Sequence, residues 1–180
     1  MHEKRYDEKI EKLRSPARVN MLDVKRVVQL AQEKFHPGSV LDVGTGTGIF
    51  AEAFANDGLV VTGVDVNPLM IESAREFVPG ARFIQAPAEA IPEADNSFDL
   101  VFLGHVLHET DDPVQALREA RRIARRGVVV LEWPYLEETV GPPLSHRLHV
   151  EDVCKMAHTA GFQGFGLIHL THMMFYYLVQ

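Results

Sequence analysis

The sequence predicts an α/β fold: a doubly wound, mostly parallel seven-stranded sheet that ends in an antiparallel hairpin, with N-terminal helices ahead of it. Three observations carry this expectation. Short runs of branched apolar residues alternate with stretches of helical periodicity. The strand-like runs lack polar–apolar alternation, which suits a sheet covered on both faces. The last two β-like stretches lie too close together for a crossover helix, so they should pair antiparallel.

About 40 residues precede the first strand and read as two helices, roughly Glu3 to Leu13 and Val19 to Phe35. Val24, Val27, Val28 and Ala31 give the second helix a packing face. Val40 to Val43 (VLDV) is a short buried strand that runs at once into a glycine-rich turn. Ile49, Phe50, Ala53 and Phe54 then recur at helical spacing. Leu59 to Asp65 is the second strand, and Asn67-Pro68 opens the next helix with Asn as N-cap and Pro in the first turn. Ala81 to Gln85 and Phe98 to Leu103 read as strands three and four. Asp112-Pro113 starts a helix with Val114, Leu117 and Ala120 on one face, and Gly127 to Trp133 is strand five.

Strand, helix and strand in strict succession give a Rossmann-like parallel sheet. Val150 to Ala160 reads as a helix closed by Gly161 in a left-handed cap. Phe165 to His169 and Met174 to Val179 form the terminal hairpin. The one long irregular stretch, Pro134 to His149, is of a length that is usually functional or mobile. No repeat or linker interrupts the pattern. Residues 1–180 are therefore expected as one domain, with 1–38 a helical cap and 39–180 the α/β core.

The net charge of −7 argues against a nucleic-acid partner, which would call for clustered Lys and Arg. The densest basic stretch, Arg118 to Arg126, is expected on the solvated face and C-terminal turn of a helix, where cations suit the dipole. No apolar run approaches the roughly 18 residues that span a bilayer, so membrane insertion is not expected. The charged start MHEKRYDEKIEKLR predicts no secretory signal. The lone cysteine, Cys154, excludes an internal disulfide and fits a cytoplasmic protein; its helical spacing with Ala157 and Gly161 predicts a core position. A homodimer is compatible with these numbers.

The strongest local signal is VLDVGTGTGIF, Val40 to Phe50. Glycines let the backbone take positive φ and approach a ligand closely, and open α/β sheets bind ligands at the carboxyl ends of their strands. Asp65, at the end of strand two, can accept two hydrogen bonds from a ribose diol. Dinucleotide binders carry G-x-G-x-x-G. Here the glycines stand at 44, 46 and 48, and position 49 is Ile. This spacing and the terminal hairpin both count against a nicotinamide-dependent oxidoreductase. The shorter turn, with Asp42 ahead of it, suits a ligand with an amino-acid end.

On VLDVGTGTG, VTGVDVNPLMIESARE, AEAIPEADNSFDLVFLGHVLHETDDP and ALREARRIARRG, the chain resembles class I S-adenosylmethionine-dependent methyltransferases of the ubiquinone and menaquinone methyltransferase type. That resemblance implies S-adenosylmethionine as methyl donor, S-adenosylhomocysteine as product and a small-molecule acceptor. It implies that Gly44, Thr45, Gly46 and Thr47 line the methionine part, with Asp42 behind them. Asp65 would hold the ribose hydroxyls, Val66 would pack on adenine, Ala88 would meet the adenine edge, and Gly104 would lie beside the methionine moiety. Many relatives carry an acid just before the alanine at position 88. Pro87 stands there instead, which leaves Glu89 or backbone to serve the adenine amine.

Methyl transfer from a sulfonium needs alignment, desolvation and sometimes a base. His105 is the candidate base or acceptor contact, with His108 a weaker one, and no metal site is expected. Tyr6 is a further candidate by resemblance, over the donor pocket. Tyr135, His146, Arg147 and His149 on the long loop are in place to contact the acceptor but read chiefly as solvated loop residues. No Asn-Pro-Pro-Tyr type motif follows strand four, which argues against an adenine, cytosine or glutamine amino group as acceptor. The alternative function is a non-catalytic donor-binding sensor or assembly protein.

Overall fold

The computed structural model describes residues 10–180. Its sheet is built from β1 (Ser39–Val43), β2 (Val60–Asp65), β3 (Arg82–Gln85), β4 (Phe98–Gly104), β5 (Ala124–Glu132), β6 (Gly164–His169) and β7 (Met174–Val179). Their spatial order is β3-β2-β1-β4-β5-β7-β6. The first five strands are parallel, and β7 joins β5 and β6 antiparallel, as the short final connection requires. The order reverses between β1 and β4, so the crevice expected of a doubly wound sheet opens at their carboxyl ends.

Register lines up the residues that leave the sheet there. Val43 pairs with Val64 on one side and Leu103 on the other. The next residues along the three strands are therefore Gly44, Asp65 and Gly104, side by side. Asp65 pairs with Gln85, and Gly104 with Leu131, so Gln85 and Leu131 end the same row and Ala86 and Glu132 follow one residue beyond it.

Helices cover both faces. α3 (Val24–Phe35), α4 (Ile49–Asn56) and α5 (Pro68–Phe77) pack on one face, where Val28, Ala31, Phe54 and Ile71 meet Leu100, Phe102 and Val129. α6 (Pro113–Ile123) and α7 (Val150–Thr159) cover the other, where Leu117, Ala120 and Val153 meet Leu41, Val101 and Val130. Consecutive residues of β4 and β5 thus go to opposite cores, the reason these strands are apolar throughout. The expected caps are formed: Asn67 accepts the Leu69 N–H at 3.0 Å, and Asp112 accepts the Gln115 N–H at 2.9 Å. Gly161 has φ +97°, as its capping position demands. No helix among the described residues is long and apolar enough to cross a membrane.

Three local expectations are corrected. The helix expected over Val19 to Phe35 is two: α2 (Pro16–Met21) and α3, broken where Asp23 adopts φ +48°. Ser15 and Pro16 supply a separate cap and first turn for α2, and aspartate is one of the few residues that visits the left-handed region. Of the helix expected over Glu3 to Leu13, the described part is α1 (Ile10–Leu13). β5 begins at Ala124, without a loop after α6, so Arg125 and Arg126 lie on a strand, not in a helical C-terminal turn. There their Nε atoms stand 3.4 and 3.5 Å from the Asp99 carboxylate. Cys154 is half-buried; Val153 and Ala157 take the inward positions of α7.

Candidate functional site

A cavity of about 240 Å³ opens along the row of strand ends. Its floor is the loop after β1, its walls are the segments after β2, β3 and β4, and Leu13, Arg18 and Leu22 reach it from the N-terminal helices.

Gly44, Gly46 and Gly48 all have positive φ. A Cβ on Gly44 would stand 2.6 Å from the Val106 Cβ, so only glycine fits between the two loops. At Gly46, by contrast, a Cβ would meet nothing nearer than 4.0 Å, and this part of the turn presents open backbone to the cavity. The turn is pinned from beneath. The Thr45 N–H donates to the Val64 carbonyl at 2.9 Å, and the Thr45 hydroxyl donates to Asp42 Oδ2 at 2.7 Å. Asp42 is buried, and burial pushes its carboxyl up to about 7. It holds the turn from below and is not among the residues that line the cavity.

Asp65 clamps the turn from the side. Its Oδ2 accepts the Gly46 N–H at 2.9 Å and its Oδ1 accepts the Asn67 N–H at 2.8 Å. A carboxylate has about four acceptor sites, so these two bonds orient it without exhausting it. Val66, Pro87 and the buried Ala88 continue the wall. Glu89 also lines the cavity, but its Oε1 accepts the N–H groups of Asp111 and Asp112 at 2.9 and 3.3 Å. Its carboxylate ties this wall to the start of α6.

Beyond Gly104 the wall changes character. His105 has φ +57° and donates its N–H to the Leu131 carbonyl at 2.8 Å. Its Nε2 lies 2.8 Å from the Met173 sulfur, and its ring centroid is 5.1 Å from that of Trp133. Desolvation, more than any charge nearby, pushes the imidazole down to about 3, so His105 is neutral at pH 7. His108 is held differently. Its Nδ1 is 2.7 Å from Glu132 Oε2, and its backbone N–H donates to Glu132 Oε1 at 3.1 Å. Burial pushes the Glu132 carboxyl up, but the facing imidazole and the two hydrogen bonds outweigh this and hold it below the usual carboxylate range. Sequence reasoning passed over Glu132. Its signal was one acid at the end of the apolar run GVVVLEW.

The loop from Pro134 to His149 is organised by Arg147, whose side chain is 1 % exposed. The guanidinium donates to the carbonyls of Pro134, Leu136, Val140 and Pro142 and to Glu138. Arg147, read as a solvated loop residue, is therefore the core of its loop. Gly141 packs against Trp133, where a Cβ would stand 2.6 Å from the indole, and Pro142 lines the cavity. Tyr135 and His149 stack on each other at 3.5 Å; neither they nor His146 line the cavity. Tyr6 lies outside the described residues.

A family model described as a methyltransferase domain matches residues 41–131, the stretch from β1 to the end of β5. The chain is 36% identical over 107 residues to the demethylmenaquinone methyltransferase of Renibacterium salmoninarum, covering 59% of this chain and 45% of that protein. It is 38% identical over 107 residues to a ubiquinone/menaquinone biosynthesis C-methyltransferase of Hahella chejuensis, covering 53% and 43%. It thus spans less than half the length of these curated relatives. Among solved structures, an S-adenosylmethionine-dependent methyltransferase from Aquifex aeolicus superposes with a TM-score of 0.85 at 26% identity, over 97% of this chain and 98% of that one. With the glycine turn, its aspartate clamp and the strand order already in place, the chain belongs to the methyltransferase domain family.

Proposed function

We propose that this chain is an S-adenosylmethionine-dependent methyltransferase acting on a small-molecule acceptor. The observation that carries the reading is the glycine turn clamped to Asp65 where strand order reverses, opening on a cavity that runs past Gly104 to Trp133. The residues fit the donor. Open backbone at Gly46 suits close approach of its methionine part, and the oriented Asp65 carboxylate suits a diol. In this reading Gly44, Thr45, Gly46, Thr47 and Gly104 hold the methionine part, with Asp42 bracing the turn. Asp65 holds the ribose, while Val66, Ala88 and the backbone beside Glu89 hold adenine. When bound, the donor supplies an electrophilic methyl group on a sulfonium sulfur.

The chain's own contribution is alignment and exclusion of water. Leu22, Phe50 and Trp133 give the acceptor end an apolar wall. A flat, largely apolar acceptor fits such a wall, and the relatives named for demethylmenaquinone make aromatic acceptors the first class to try. His105 contacts the acceptor as a neutral imidazole. His108, whose Nδ1 is aligned by Glu132, is the group placed to take an acceptor proton.

Calorimetric titration with S-adenosylmethionine and S-adenosylhomocysteine tests the reading. The wild-type chain binds both, and Asp65→Ala weakens each by about a hundredfold, the loss of two hydrogen bonds to a charged acceptor. Absence of binding to either ligand would refute it.

A further inference from the structure

We infer that the acceptor end of the cavity selects a hydrogen-bond donor: His105 offers an unprotonated Nδ1 there, and the acceptor it takes carries a neutral O–H or N–H group. This deepens the methyltransferase reading and rests on it. The Met173 sulfur, 2.8 Å from His105 Nε2, assigns the tautomer. A thioether accepts hydrogen bonds and has none to donate, so the proton between the two atoms belongs to Nε2. Nδ1 is left with its lone pair.

The sheet holds the sulfur in place. Met174 pairs with Glu132, so Met173 falls opposite Trp133, just past the end of β5. The hairpin turn is closed by the Leu170 N–H, which donates to the Met173 carbonyl at 2.8 Å. Met173 is buried in the cluster that contains Leu22, Phe50 and Trp133. Nδ1 is placed differently. It has no hydrogen-bond partner among the described residues, it is not one of the buried atoms sealed off without a partner, and His105 lines the cavity. The backbone is strained to put it there. His105 has φ +57°, which glycine would take more easily, and strain of this kind collects at ligand-contacting positions.

The chemistry of this wall narrows the acceptor further. Desolvation pushes the imidazole down to about 3, so it accepts a hydrogen bond without taking the proton, and the donor group stays neutral. Asp65, Glu89, Glu109 and Asp111 line the same cavity with Arg18, so formal negative charge exceeds positive there. A carboxylate or a phenolate meets repulsion in such surroundings, and a phenol or an aromatic amine does not. A desolvated lone pair left without a donor costs free energy, so an acceptor that lacks the O–H or N–H group is rejected.

The test is titration of the full 180-residue chain, saturated with S-adenosylhomocysteine, as wild type and His105→Phe. The probes are phenol, aniline, toluene and pyridine, flat rings of similar size. Nitrogen-15 spectra of the histidine rings give the tautomer, with the His105 signals assigned through its backbone. In wild type Nε2 carries the proton, and phenol or aniline shifts the Nδ1 signal. The better of the two binds about threefold to tenfold more tightly than toluene and identifies the group as O–H or N–H. In His105→Phe that preference is gone. A proton on Nδ1 overturns the inference, and so does a preference for pyridine, which can only accept. An Nδ1 signal that neither phenol nor aniline moves overturns it too, as does a preference over toluene that survives in His105→Phe. If that variant does not fold, the wild-type spectra and probe order decide. A wild-type chain that does not bind S-adenosylhomocysteine refutes the donor reading instead, and the same spectra and probes, applied to the free chain, still decide the subsite.

Discussion

Asp42 and Asp65 stand on neighbouring strands, and their surroundings give them opposite behaviour. Asp65 ends its strand at the cavity and is met by two backbone N–H groups. Asp42 lies two residues before the glycine turn, inside the sheet, and its carboxyl is raised to about 7. A folded-state pKa above the ordinary carboxylate value means the folded chain holds this proton more tightly than the unfolded one. The resulting stability is present in full below about pH 4 and is lost as pH rises through about 7. Asparagine at this position still accepts the Thr45 hydroxyl bond and carries no charge to bury. Urea unfolding of Asp42→Asn should therefore show a stability that gains on wild type from pH 4 to pH 8, by about 2–4 kcal/mol at the upper end. Two curves that run parallel over this range would show that Asp42 does not titrate there. His105 and His108 make a similar contrast three residues apart, one beside a thioether and an indole, the other beside a buried carboxylate.

At the scale of elements, the informative segment is the loop between β5 and α7. It has hardly any regular structure beyond a short 3-10 turn at Leu144–His146. Its backbone carbonyls find their donor in one buried guanidinium. Arg147→Met removes that donor and leaves Glu138 and four carbonyls without it. The expected cost is about 3 kcal/mol, concentrated in the loop. Limited proteolysis should cut between residues 134 and 147 in the variant and not in wild type. Hydrogen exchange in β1 and β4 should stay as it was. Global loss of protection, reaching the central strands, would mean that the loop is part of the main folding unit. Because Pro142 and Trp133 both line the cavity, a loosened loop should disturb the acceptor end more than the donor end.

At the scale of the whole molecule, the site depends on segments from most of the chain: the loops after β1 to β5 and the N-terminal helices all reach one cavity. A ligand that touches them all links their stabilities. At a hundredfold excess over its dissociation constant, a ligand that binds only the folded chain adds about 2.7 kcal/mol. For a chain of this size that is about 5–10 °C in melting temperature. S-adenosylhomocysteine should produce this shift in wild type and lose most of it in Asp65→Ala at the same concentration. An equal shift in both chains would place the ligand elsewhere.

The sequence by itself determined the order of strands and helices, the glycine turn, the carboxylate after β2 and the antiparallel ending. Each is written in local signals: periodicity, caps, glycine spacing and the length of a connection. The break at Asp23 and the early start of β5 were less legible, since neither carries a glycine or a proline to announce it. Tertiary structure alone decided which polar groups meet. Glu132 reaches His108 across 24 residues because β4 and β5 are in register. Glu89 turns to the amides at the start of α6 because that helix packs beside it. Arg147 is buried because the carbonyls of an irregular loop required a donor. These pairings depend on three-dimensional register and on the need to satisfy buried polar groups, and neither is encoded in any short stretch of the chain.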